Sequence, residues 1–204
     1  MIAIIDYGVG NLYSLYSSLK YIGQDAVITS DAATIGFCDK MLLPGVGAFA
    51  DAASMLRAHG LDSLVKSEAQ SGKPLLGVCL GMQMLFEKSY EFGEHAGLGL
   101  IPGVIAPIKP RVPACCKIPH IGWNALKFPK KAMSPLFKYI NEGDHVYFVH
   151  SFHAEQCADF IIATTEYGAE LTAAAGRDNI FGTQFHPEKS GETGLNILRA
   201  FAEL

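Results

Sequence analysis

The chain has 204 residues, of which 50% are hydrophobic and only 18% charged, against roughly 25% charged in an average soluble domain. That balance excludes a disordered segment, and a net charge of -4 without an extended run of Lys or Arg leaves no electrostatic footprint for nucleic acid or an anionic membrane. A core of this size needs neither a disulfide nor a metal staple, so one domain over residues 1–204 is expected.

Ile2 to Ile5 is a short apolar run stopped by Asp6, the pattern of a buried strand. Leu12, Leu15, Tyr16, Leu19 and Ile22 then share one helical face, closed by Gly23. Ala26 to Thr29 and Met41 to Leu43 read as the second and third strands, followed by a helix from about Phe49 to Arg57. Pro74 to Val78 is a fourth buried strand that runs directly into a helical stretch, Cys79 to Phe86. From about Gly103 to Phe185 the chain becomes strand-rich and Pro/Gly-punctuated, with Val146 to Val149, Phe160 to Thr165, Leu171 to Ala175 and Ile180 to Gln184 the clearest strands. Leu195, Leu198 and Phe201 mark a last amphipathic helix. The alternation predicts a three-layer α/β fold: a mostly parallel sheet with helices on both faces, and additional antiparallel strands in the second half. The shortage of charge fits either a sheet buried on both faces or a surface hidden by a second protein.

The N-terminus lacks the basic and apolar regions of a secretory signal, and no apolar run approaches the roughly 18 residues of a membrane span. Cys38, Cys79, Cys115, Cys116 and Cys157 are odd in number and without CxxC spacing, so reduced thiols in a cytoplasm are expected. His59, His95 and His145 have no partner at ligand spacing and read as surface or capping residues; His150 and His153, three apart in an extended segment, point to opposite faces. No metal site and no cofactor are expected.

The sharpest local feature is Gly77-Val78-Cys79-Leu80-Gly81, a G-x-C-x-G between a strand and a helix. This is the nucleophile-elbow pattern with Cys in place of Ser, the alternative being a structural cysteine at a Gly-rich strand end. On an elbow the sulfur sits at a helix N-terminus, where the dipole favours negative charge and the Leu80 N–H can donate to an oxyanion. A thiol nucleophile needs a base and a group to orient it. His186-Pro187-Glu188 offers both, since His186 and Glu188 are two apart and a carboxylate on one imidazole nitrogen fixes the tautomer of the other. Gly45-Val46-Gly47-Ala48-Phe49-Ala50 formally matches a dinucleotide fingerprint, but the nearest later acid at suitable range, Glu68, sits in a helical stretch and not at a strand end. Its glycines instead allow the Val46–Gly47 backbone to turn an N–H into a crevice beside the strand ends. Gly8-Val9-Gly10-Asn11 reads as a loop at the same edge.

With Cys79 on an elbow and His186-Pro187-Glu188 near the far end, the sequence resembles the class I (triad-type) glutamine amidotransferases over nearly its whole length. Residues 6–11 (DYGVGN), 44–49 (PGVGAF), 77–83 (GVCLGMQ), 119–124 (PHIGWN), 147–151 (YFVHS) and 182–190 (GTQFHPEKS) resemble the branch that serves as the ammonia-producing subunit of imidazole glycerol phosphate synthase. The resemblance implies a flavodoxin-like fold and a reaction in which Cys79 attacks the glutamine side-chain amide, His186 carries protons and Glu188 orients it. It implies oxyanion donors at Leu80 and in the Val46–Gly47 segment, and substrate contacts from Gln83, His150, Ser151 and Phe152. It further implies that ammonia passes to a (β/α)8 cyclase subunit, with Asn11, His120, Trp123 and Lys189 as partner contacts. The rival readings are a subunit of anthranilate or aminodeoxychorismate synthase, a stand-alone thiol hydrolase of γ-glutamyl compounds, and a catalytically silent binding protein.

Overall fold

Strand β1 (Ile2–Ile5) is buried on both faces, which sets the layering of the molecule. Ile2 and Ile4 pack with Leu15, Leu19, Ile197, Leu198 and Phe201 on one side of the sheet. Ala3 and Ile5 pack with Ile35, Leu56, Leu61 and Val65 on the other. The computed structural model describes residues 1–129 and 133–204.

In chain order β1 is followed by α1 (Leu12–Tyr21), β2 (Ala26–Thr29), α2 (Ala32–Phe37), β3 (Lys40–Leu43), α3 (Phe49–Ala58), α4 (Leu61–Gln70), β4 (Leu75–Val78) and α5 (Leu80–Met84). Strands then dominate: β5 (Phe86–Ser89), β6 (His95–Ala96), β7 (Ile101–Pro107), β8 (His120–Lys127), β9 (His145–His150), β10 (Phe152–Glu155), β11 (Ile161–Glu166), β12 (Glu170–Arg177) and β13 (Ile180–Thr183), before α6 (Gly191–Ala202). The large sheet runs β2-β1-β3-β4-β13-β12-β11-β8-β9. Its β2 to β13 half is parallel and its β13 to β9 half antiparallel. A second sheet, β10-β7-β5-β6, covers the α3 side.

The fold class follows the sequence pattern, with three differences in detail. α2 is a helix that the apolar spacing does not single out, and the helical stretch around Glu68 is α4, separate from α3. The helical stretch expected from Cys79 to Phe86 stops at Met84. There the Met84 and Leu85 carbonyls accept from Leu98 and Ile101 instead of from the next helical turn, and Phe86 opens β5. His150 and His153 do not share a strand: the chain leaves the large sheet after His150 and joins the second one at Phe152.

Sheet pairing places the chemistry. β4 lies between β3 and β13, so the ends of three parallel strands deliver the loops that carry Pro44 to Gly47, Cys79 and His186 to one edge.

Candidate active site

Cys79 sits between β4 and α5 with φ 56° and ψ -112°, a conformation that L side chains rarely adopt. The turn is held by contact as much as by torsion. A Cβ on Gly81 would stand 1.8 Å from the Leu43 carbonyl oxygen, and one on Gly77 would stand 2.7 Å from the Gly81 carbonyl oxygen. Only glycine lets α5 start this close to β3 and β4, which is the physical content of the G-x-C-x-G spacing. The Cys79 amide donates to Thr183 O at 2.7 Å, extending the β4–β13 pairing up to the nucleophile itself.

His186 leaves the end of β13 with its side chain buried, and its Nδ1 lies 2.8 Å from Glu188 Oε1. Glu188 is an acceptor there, so Nδ1 carries the proton and Nε2 is the nitrogen left for the thiol. Burial alone would make His186 a weaker base, but its hydrogen bonds and attraction to Cys79 and Glu188 outweigh that and lift its pKa to about 9. Asn11 Nδ2 donates to the same Glu188 oxygen at 3.1 Å, while Oε2 is buried with no hydrogen-bond partner among the described residues. Ser190 locks the loop: its hydroxyl donates to His186 O and accepts from Tyr147 N.

A cavity of about 400 Å³ opens at this edge, lined among others by Cys79, Leu80, His186, Gln83 and Glu91. As the first residue of α5, Leu80 has an amide without an intrahelical acceptor, and it lines the cavity beside Cys79. Val46 and Gly47 lie across the cavity, Gly47 at φ 94°, so a second backbone donor can be turned inward there. Gln83 Nε2 is committed to Gln184 Oε1 and Phe152 O, which leaves its carbonyl oxygen as an acceptor on the cavity wall. Ser151 and Phe152 also line the cavity, Phe152 next to Gln83. His150 also lines it, but both ring nitrogens are taken: Nδ1 donates to Phe152 O at 2.8 Å and Nε2 lies 3.0 Å from His120 Nδ1. It therefore shapes the wall rather than offering a free donor to a ligand.

The four residues expected at a partner face separate into two kinds. Trp123 is 52% exposed beside Ile121 at 57%, and Lys189 is exposed with Nζ 5.9 Å from the Tyr147 ring. Asn11 lines the cavity and bonds the triad carboxylate. His120 is the correction: at 0% exposure, stacked between Phe148 and Tyr167, it cannot present its ring to another protein. The alternation of β8 explains this, since Ile121 and Trp123 point outward and His120 inward. Sequence reasoning misses Glu91, whose carboxylate lines the cavity and accepts from Phe49 N at 2.6 Å. It also misses Gln184, whose Nε2 lies 3.8 Å from Cys79 Sγ. Neither residue carries a spacing signal of its own. His59 caps the end of α3 and His145 is exposed, as expected of them.

The sequence profile of the family described as "Glutamine amidotransferase class-I" matches residues 3–203. Among curated relatives, a protein of Caldanaerobacter subterraneus named "Imidazole glycerol phosphate synthase subunit HisH" is 51% identical, covering 100% of this chain and 98% of its own. Proteins of the same name from Wolinella succinogenes and Lactococcus lactis are 48% and 47% identical, covering 100% and 99% of this chain and 100% and 98% of their own. Among solved structures, one described as a glutamine amidotransferase superposes with TM-score 0.76 at 16% identity, covering all of both chains. PurLQS from Thermotoga maritima superposes with TM-score 0.74 at 20% identity, covering 99% of this chain and 97% of the other. The structural likenesses speak for the fold; the full-length relatives speak for a narrower branch.

Proposed function

The chain belongs to the class I glutamine amidotransferases, and from that premise we propose that residues 1–204 form one domain acting as the glutaminase subunit of imidazole glycerol phosphate synthase. The observation that carries the reading is the buried Glu188–His186 pair set beside Cys79 on a strained elbow, in a chain alike end to end with subunits of that synthase. Subunits of anthranilate or aminodeoxychorismate synthase are disfavoured by the same relatives.

In this reading Cys79 passes its thiol proton to His186 Nε2 and Sγ adds to the side-chain carbonyl of glutamine, while the developing oxyanion accepts from Leu80 N–H and from a backbone amide of the Val46–Gly47 segment. His186 gives its Nε2 proton to the departing ammonia, leaving a glutamyl thioester on Cys79. It then takes a proton from water, which attacks the thioester and releases glutamate. Glu188 keeps the imidazole in one orientation and stabilises its charged form. Gln83, Ser151 and Phe152 border the space for the amino and carboxylate groups, and Glu91 adds a negative charge suited to the ammonium. Ammonia protonated by bulk water is no longer a nucleophile, so the product has to leave through a protected route. The exposed apolar rim of Ile121 and Trp123, with Lys189 nearby, is the face we assign to a (β/α)8 cyclase subunit.

The experiment is glutamine hydrolysis by the chain alone and with a cyclase subunit carrying its nucleotide ligand. The reading expects slow turnover alone and strong stimulation in the complex. Equal turnover in both would sink the coupled function.

A further inference from the structure

The chain of hydrogen bonds behind the cavity wall, buried at its His120–His150 centre, has one proton too few. His150 Nδ1 faces Phe152 O at 2.8 Å, an oxygen that can only accept, so this nitrogen must carry hydrogen. His150 Nε2 and His120 Nδ1 are 3.0 Å apart and need one hydrogen between them. His120 Nε2 faces Asn124 Oδ1 at 2.8 Å and must carry a third. The Asn124 amide is held in this sense because its Nδ2 donates to Glu166 O at 2.9 Å; reversing it would set two carbonyl oxygens face to face. Two neutral imidazoles carry two N–H hydrogens, whereas this chain has three places for them.

We propose that His120 and His150 take up a third, shared proton when the cavity holds the carboxylate of the substrate, so that the pair is the positive positioning element of that subsite. The inference rests on the glutaminase reading, which brings a carboxylate to a wall formed by His150, Ser151 and Phe152. Charge and surroundings agree on the order of events. Burial makes both rings weaker bases than usual, His150 down to about 3, so the empty pair does not hold the extra proton. An anion at the cavity wall supplies the missing counter-charge, and the proton comes from solvent. The titratable groups around the pair are His153 on β10, His186 beyond β13 and the Tyr167 ring stacked on His120; Glu166 contributes its backbone carbonyl. Glu91 and Lys189 are the other charged side chains on the cavity. Neither imidazole touches the reacting atoms. Their part is to hold the Phe152 carbonyl and to fix the charge of the wall.

The test is nitrogen-15 spectroscopy of histidine-labelled full-length Cys79→Ala protein, which cannot turn over, titrated from about pH 5 to 9 with and without saturating glutamine. We expect glutamine to raise the proton affinity of the pair about a thousandfold or more, lifting its apparent pKa from below the titrated range to about 6 or higher, with a ring nitrogen changing to the protonated signature. Asn124→Leu removes the acceptor at His120 Nε2, and with it the third place for hydrogen, and should abolish the glutamine-induced shift. Glutamine bound with both rings neutral throughout would overturn the proposal and leave the glutaminase reading standing. Glutamine that fails to bind at all would overturn both, and an undiminished glutamine-induced shift in Asn124→Leu would contradict the shared-proton account.

Discussion

Asn11 donates from Nδ2 to Glu188 Oε1 at 3.1 Å, a hydrogen bond between residues 177 positions apart that ties the β1–α1 loop to the triad carboxylate. Because His186 uses the same oxygen, any displacement of Asn11 is felt by the group that orients the general base. Asn11→Ala should lower kcat/KM for glutamine hydrolysis by about tenfold or more, the scale of one hydrogen bond to a charged group. Its thermal stability should stay within about 1 kcal/mol of the parent chain, since the bond is only part-buried. A variant with unchanged rate and unchanged pH profile would place Asn11 outside the catalytic network.

The charge state of His186 sets the alkaline limit. Its folded pKa of about 9 lies above the ordinary 6.5, so the stability it contributes is fully present below about pH 6.5 and is lost as the pH rises through about 9. Above that pH it also has no proton for the leaving ammonia. Glutaminase activity should therefore fall with an alkaline limb near pH 9, and Glu188→Gln should move the limb to lower pH while cutting kcat. A pH–rate profile whose limb does not move in Glu188→Gln would contradict the role given to the carboxylate.

The elbow tolerates no side chain at Gly81. Gly81→Ala drives a methyl into the Leu43 carbonyl, and either α5 or β3 has to shift. The expected cost is about 3 kcal/mol or more, at the upper end of overpacking. Denaturant unfolding should show it, together with loss of hydrolysis because Leu80 N–H and Cys79 move apart. Parent-like stability would mean that the close approach is not what shapes the turn.

Trp123 presents the largest exposed ring of the rim. Trp123→Ala should weaken association with the cyclase subunit by about 2 kcal/mol, the scale of an aromatic anchor at an interface. Calorimetric titration of the two subunits reads this directly. Undiminished affinity would move the docking face elsewhere.

The β1 to β4 alternation, the elbow around Cys79 and the His186–Glu188 pair are legible in the sequence because they are local patterns. Strand burial, a glycine-flanked turn and a two-residue offset are each written in contiguous residues. What the sequence hides depends on pairing between distant segments. His120 and Trp123 are three apart and look alike as partner contacts, yet register against β9 turns His120 inward onto His150 and leaves Trp123 outside. Glu91 reaches the cavity through the β5–β6 connection and Gln184 reaches Cys79 Sγ from the end of β13, positions that no spacing rule marks. α4 is legible as a helical stretch around Glu68, but its bounds are not, because its polar side chains dilute the apolar face that Leu61, Val65 and Ala69 bury. The shortage of charge, open to two explanations in the sequence, is explained at least by the sheet: β1 is apolar on both sides, and helices cover each.

The most direct measurement is made on the assembled complex of this chain, as Cys79→Ala, with its cyclase subunit. Synthesis of imidazole glycerol phosphate is followed with glutamine and, separately, with free ammonia as the nitrogen source. The account predicts that glutamine-dependent synthesis is abolished while ammonia-dependent synthesis proceeds at the parent rate. Retention of the glutamine-dependent reaction, or loss of both, would contradict the assignment of Cys79 as the nucleophile that makes the ammonia.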